Sequence, residues 1–220
     1  MDDAKLMGKV RGLDQDTLYP AGKETIQTML SQQSEELIAW AAPVYSEIVR
    51  QGRSFWVNNA AAIATVTATP TTAVTLALYN GEPDGGRSYI IDYVWANFTV
   101  NTAAALVHVG IIGALGQQRE AIPTNAAPVV KNANSSGKLD TRARTIIGGT
   151  ALPTALNWFP IGTSVNTVVN TLPGFQQWVP VDGKIIVPPG RYFAVHTLGS
   201  VTTTSAIMGI GWTEKVLFLG

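Results

Sequence analysis

An all-β antiparallel sandwich is the fold class that the sequence predicts, and three observations predict it. From Phe55 onward, short runs rich in Val, Ile, Thr, Tyr and Trp recur, the residues that suit a pleated, half-buried surface. Gly, Pro and Asn punctuate those runs at close spacing, as in sandwiches and barrels. Alternating strand and helix units are absent, which argues against doubly wound and (β/α)₈ folds.

The predicted strands follow in order. Residues 57–69, 71–79, 87–100 and 105–116 form the first group. Thr69-Pro70 marks a turn, and Gly81-Glu82-Pro83-Asp84-Gly85-Gly86 marks a longer hairpin loop. Ala105, Val107, Val109 and Ile111 alternate with Leu106, His108, Gly110 and Ile112. Both sets are largely apolar, which predicts a strand buried on both faces. Residues 117–140 read as a long functional or mobile loop, with a short strand expected near Val129–Lys131. Strand texture returns at 142–147, 156–161, 164–172, 176–181, 184–187, 191–198 and 205–215. Eight to eleven strands suit a jelly-roll-like sandwich of eight strands with extra edge strands.

Before this body the chain has a different texture. Residues 1–56 hold eight acids (Asp2, Asp3, Asp14, Asp16, Glu24, Glu35, Glu36, Glu47) and six bases (Lys5, Lys9, Arg11, Lys23, Arg50, Arg53). The three-times-longer remainder holds little more. The division predicted is therefore an N-terminal arm and helix over 1–56 and a β-sandwich domain over 57–220. The first twenty residues lack a sustained period and read as an extended or partner-ordered arm. Ile26, Met29, Leu30, Leu37 and Ile38 recur at helical spacing, predicting an amphipathic helix from Glu24 to about Trp40. Pro43 limits it, and Val44, Ile48 and Val49 predict that it resumes. Its apolar stripe must be buried, against its own sandwich or against a neighbouring subunit. Ile26, Met29, Leu30, Leu37, Ile38 and Trp40 are accordingly the candidate assembly contacts.

Charge narrows the function classes. Charged residues are 14% of the chain, against about 25% in an average domain. Fifteen bases cancel fifteen acids, so the basic excess of a nucleic-acid binder is missing. No cysteine is present, which excludes disulfides, thiolate metal sites and Cys nucleophiles. The most apolar run, Ala103 to Leu115, is too short for a membrane helix, and Met1-Asp2-Asp3-Ala4-Lys5 is no secretory signal. A protein made in the cytoplasm, with no membrane partner, is expected.

Catalytic constellations are not legible. His108 and His196, the two histidines, each sit in an apolar strand-like run, where a locally bonded packing role is expected. No histidine has a second ligand at metal spacing. Glu82, Asp84, Asp140 and Asp182 stand beside turn residues. Asp92 interrupts an apolar strand and needs a buried partner, for which Arg87, Arg191 or Arg144 are candidates. Gly209-x-Gly211 reads as a strand bend or a close backbone approach. No enzyme activity, cofactor or metal is expected. The six tryptophans, Trp40 in the helix and Trp56, Trp95, Trp158, Trp178 and Trp212 in or beside strands, read mainly as core or interface residues, with Trp158, Phe159 and Trp178 the candidate exposed exceptions.

A body so poor in ions can be buried against copies of itself without stranding charges. The run Lys184-Ile-Ile-Val-Pro-Pro-Gly-Arg-Tyr-Phe-Ala-Val195, then Thr202–Ser205 and Gly211-Trp-Thr-Glu214, resembles the closing strands of tailed-bacteriophage virion β-sandwich proteins, including head decoration (cement) and minor capsid types. The resemblance implies that Pro188-Pro189-Gly190 turns the chain between two strands of one sheet. It also implies a structural protein of the virion, a homotrimer, with a major capsid or other virion protein as partner. Two other readings stand beside it: a glycan- or receptor-binding module of a tail or fibre, and a self-assembling shell or filament subunit.

Overall fold

Two-residue alternation is clearest from Gln176 to Val187, where exposed and buried side chains take turns along most of the strand. The same period organises most of the chain, because successive side chains on a strand point to opposite faces. The structure is a computed structural model. It describes residues 46–101, 107–116, 119, 130–136, 140–147, 157–162, 165–167 and 176–217. The expected helix over 24–40 and its contacts Ile26, Met29, Leu30, Leu37, Ile38 and Trp40 lie outside the described residues.

Among the described residues a short helix, α1 (Ser46–Arg50), precedes twelve strands: β1 (Ser54–Asn58), β2 (Ile63–Ala64), β3 (Leu76–Asn80), β4 (Arg87–Asn101), β5 (Val107–Gly116), β6 (Lys131–Asn132), β7 (Ala143–Ile147), β8 (Trp158–Pro160), β9 (Val165–Thr167), β10 (Gln176–Val187), β11 (Tyr192–Gly199) and β12 (Thr204–Val216). The chain divides into two compact units, Met1–Glu47 and Ile48–Gly220, and every described strand belongs to the second. The sandwich unit thus starts earlier than the change in composition at residue 56. Charge density follows exposure, and the charged Arg50 and Arg53 are exposed residues of the same unit as β1.

Sheet 1 runs β10-β4-β12-β1-β6, with β2 also on β12; sheet 2 runs β7-β3-β11-β5-β8, with β9 also on β5. All of these pairs are antiparallel. Between the sheets lies one main core. Phe55, Val57, Ile91, Val94, Phe98, Val187, Met208, Ile210 and Trp212 from sheet 1 share it with Leu76, Leu78, Val109, Ile111, Phe193 and Val195 from sheet 2. Trp212 is fully buried and lies 5.9 Å from the Phe55 ring and 6.0 Å from the Tyr89 ring. Each such ring removes roughly 150–250 Å² from water, which makes this cluster a large share of the driving force.

Sheet 2 is also buried on its other side. Val74, Ala77, Tyr79, Ala114, Ile146, Tyr192 and Ala194 form a second cluster there. Ile112 and Ala114 on β5 are buried on that face while Val109 and Ile111 are buried in the main core, as the doubly apolar run predicts.

Two connections differ from expectation. Gly81–Gly86 is not a hairpin loop, since β3 lies in sheet 2 and β4 in sheet 1. Pro188-Pro189-Gly190 likewise joins β10 of sheet 1 to β11 of sheet 2, not two strands of one sheet. Asn80 holds both crossovers together. Its side-chain amide donates to the Arg87 carbonyl and to the Val187 carbonyl, each at 2.9 Å, and its Oδ1 accepts from the Glu82 N–H at 3.0 Å. Its own backbone bonds Arg191 and Gly190. The side chain is wholly buried, so these bonds are made where no water competes.

The segments 176–181 and 184–187 form one strand, not two. Asp182 (φ 51°) and Gly183 (φ 73°) make a left-handed excursion inside β10, with the register against β4 shifting between Pro180 and Ile185. The predicted strand over 57–69 stops at Asn58. There Asn59 turns inward, and its Oδ1 accepts from the Met208 N–H.

Candidate functional site

Asp92 is buried, but its partner is none of the three arginines expected. The Thr213 hydroxyl donates to its Oδ2 at 2.7 Å. The reason is the local bulge: β12 and β4 shift register between Gly211 and Trp212, so Asp92 is the extra residue of β4 with no β12 partner opposite it, within reach of the Thr213 hydroxyl. Burial pushes the Asp92 carboxyl above its usual range, against the pull of that hydrogen bond.

Arg87 instead bridges two other acids. It meets Glu214 at 3.2 Å and Asp140 at 2.9 Å. The Glu214 side chain is wholly buried. It also accepts from the Trp212 indole N–H at 3.3 Å and from the Thr141 hydroxyl. Burial raises its carboxyl above the ordinary range, with those donors opposing. The group ties β4 and β12 of sheet 1 to the segment that enters β7 of sheet 2. Its burial was legible in part: Glu214 falls in phase with Met208, Ile210 and Trp212, the inward residues of β12.

The histidines are not brought together. His196 is buried on β11, its Nδ1 3.0 Å from the Thr197 carbonyl and its ring edge-on to Trp158. Burial lowers its pKa. His108 is exposed near the start of β5, beside Ser200. On β11, His196 pairs with Ile112, four residues along β5 from His108, a separation of roughly 13 Å at strand spacing. His108 lines an open cavity of about 420 Å³ with Thr67, Ile111, Pro160, Leu198 and Ser200. No described residue lining that cavity supplies a second ionisable side chain. Among the described residues no three His, Asp or Glu side chains gather as a metal site.

The outer face of sheet 1 is the most distinctive surface. Cross-strand register arranges it in rows. One row reads Trp178, Trp95, Gly209, Asn58; the next reads Pro180, Tyr93, Gly211, Trp56. The two glycines explain why the rings lie as they do. A Cβ at Gly209 would stand 2.3 Å from the Trp95 indole nitrogen, and one at Gly211 would stand 2.1 Å from the Tyr93 ring. Both rings therefore lie over bare β12 backbone, the close approach that Gly209-x-Gly211 predicts. Trp178 stacks on Tyr93 with centroids 4.3 Å apart and planes 23° apart. Burial, then the Asp92 charge, raises the Tyr93 hydroxyl pKa. Asn97 and Gln176, both exposed, pair across the strands two residues beyond Trp95 and Trp178.

Of the three expected exposed aromatics, Trp178 is 53% exposed. Trp158 and Phe159 are half-buried and engaged otherwise. The Trp158 indole N–H donates to the Pro70 carbonyl at 2.6 Å, and Phe159 packs against the main core. Their strand, β8, pairs with β5 of sheet 2, so they are not part of the aromatic face. Tyr93 and Trp95 belong to that face and were not singled out as exposed by the sequence. The available signal was Gly at alternate positions of one strand with aromatics at alternate positions of another. Comparison of the chain with protein-family models, curated proteins and solved structures finds no match.

Proposed function

We propose that the chain is a structural protein of a tailed-bacteriophage virion, a capsid decoration (cement) or minor capsid component, and not an enzyme. The observation that carries the reading is strand order. The path β1-β12-β4-β10 opposes β3-β11-β5-β8, and the connections β3→β4 and β10→β11 pass between sheets. That wiring supports a jelly roll, an architecture used by viral capsid proteins and by lectins. The charge-poor body supports residence against other protein, where ions are costly to desolvate. The more ionic residues 1–56 then act as the attachment, contacting a major capsid or other virion protein. The chain acts as a homotrimer, made in the host cytoplasm and retained in the virion.

The test uses virions assembled without the protein. Full-length chain, added back, is expected to load to a fixed stoichiometry and raise the temperature at which the shell opens. Its mass by light scattering is expected to be three times the 23.4 kDa of one chain. A chain lacking residues 1–47 is expected to keep its β-sheet circular dichroism and fail to load. A full-length protein that stays monomeric and coats no particle would overturn the reading.

A further inference from the structure

We propose that the outer face of sheet 1 binds a neutral pyranose chain, with Trp178 as the stacking platform and Asn97 and Gln176 as hydroxyl-binding groups. This does not depend on where the protein resides.

The Trp178 ring is half in water yet held in place, stacked at 4.3 Å on Tyr93, which itself lies over Gly211. A held, exposed indole presents an electron-rich face. The axial C–H groups of a pyranose carry partial positive charge and fit that face. Little side-chain freedom remains for a ligand to freeze, which lowers the cost of binding.

The polar component matches hydroxyls. Asn97 and Gln176 lie side by side across β4 and β10, on the face that carries Trp178 and Trp95. They are two residues along, roughly 7 Å at strand spacing. A carboxamide both donates and accepts, as a sugar hydroxyl does. The two rows contain no charged residue from β10, β4, β12 or β1, so the face suits a neutral sugar better than an acidic one.

The small exposed apolar area argues against a second protein on this face. Among the described residues the exposed large hydrophobics are Trp178, Ile186 and Val216. Their exposed area is on the order of 300 Å², within the range of ordinary surface patches. A stable protein interface takes about 800 Å² from each partner, of which roughly 450 Å² is non-polar. One exposed indole flanked by two carboxamides is the scale of one or two sugar rings.

The experiment uses the full chain. Cellohexaose, maltohexaose and chitohexaose are titrated with indole emission and calorimetry as readouts, after a printed array of neutral glycans has been screened. At least one neutral glycan is expected to bind and to shift the emission. Trp178→Ala is expected to weaken that binding by up to about tenfold, the size of a lost aromatic contact. Trp178→Phe keeps a stacking face and is expected to retain most affinity; Asn97→Ala is expected to lose several-fold. Should Trp178→Ala fail to fold, Trp178→Phe and Asn97→Ala still read the site. An array without a hit, or affinity indifferent to Trp178 and Asn97, overturns the proposal. So does a change in mass by light scattering on Trp178→Ala, which would make the face a contact between copies.

Discussion

Removing the Glu214 carboxylate is expected to destabilise the sandwich by about 3–7 kcal/mol, and the structure supplies the parts of that figure. The side chain is wholly buried, and Thr141 and Trp212 both donate to it. Glu214→Ala leaves those two donors without an acceptor, at about 1–3 kcal/mol each. The deleted methylene adds about 1 kcal/mol of lost packing. Arg87 is about one-third exposed and keeps Asp140, so its share is small and is discounted for solvent screening. The assay is urea unfolding at pH 7 followed by Trp emission. A loss below about 1 kcal/mol would refute the idea that this carboxylate joins the sheets.

The same residue predicts a pH dependence. Burial raises its folded-state pKa above the ordinary 4.5. A raised carboxyl contributes stability that is complete below the unfolded value and is lost as pH rises through the folded one. Glu214→Gln stays neutral throughout and should lack that loss. The mutant's stability relative to wild type is therefore expected to improve as pH climbs from 4 towards 7. Asp140 works in the opposite sense, since Arg87 lowers its pKa, but it is present in both proteins. A flat difference between the two proteins across that window would contradict the assignment.

Three further outcomes are expected. Asn80→Ala removes the donor for two carbonyls and the acceptor for Glu82 N–H; it should cost about 2–4 kcal/mol and raise amide exchange at both crossovers. Gly211→Ala places a methyl group where the Tyr93 ring lies; it should cost about 1–2 kcal/mol, and Trp178 emission should report the lost stack. An unchanged spectrum would show the ring has room. Thr213→Val strips Asp92 of its donor and should cost about 1–3 kcal/mol. The deficit should shrink as pH falls from 7 towards 4, because burial makes the Asp92 carboxyl take up its proton at a higher pH than an ordinary carboxylate; equal deficits at pH 4 and 7 would count against a buried, ionising Asp92.

What the residues alone determined was strand content, alternation and the poverty of charge. The doubly apolar β5 run announced a strand buried on both sides, and Gly209-x-Gly211 announced a close approach. These are legible because a two-residue period and a missing Cβ are local properties, carried by neighbours in the chain. Tertiary structure alone decided which sheet each strand joins. It turned Gly81–Gly86 and Pro188-Pro189-Gly190 into crossovers, gave Asp92 a threonine instead of an arginine, and laid Trp178 on Tyr93. Those pairings join residues up to 121 positions apart. Local patterning tells a strand which face to bury, but many partners satisfy that demand equally; the choice among them is made by packing the whole core at once.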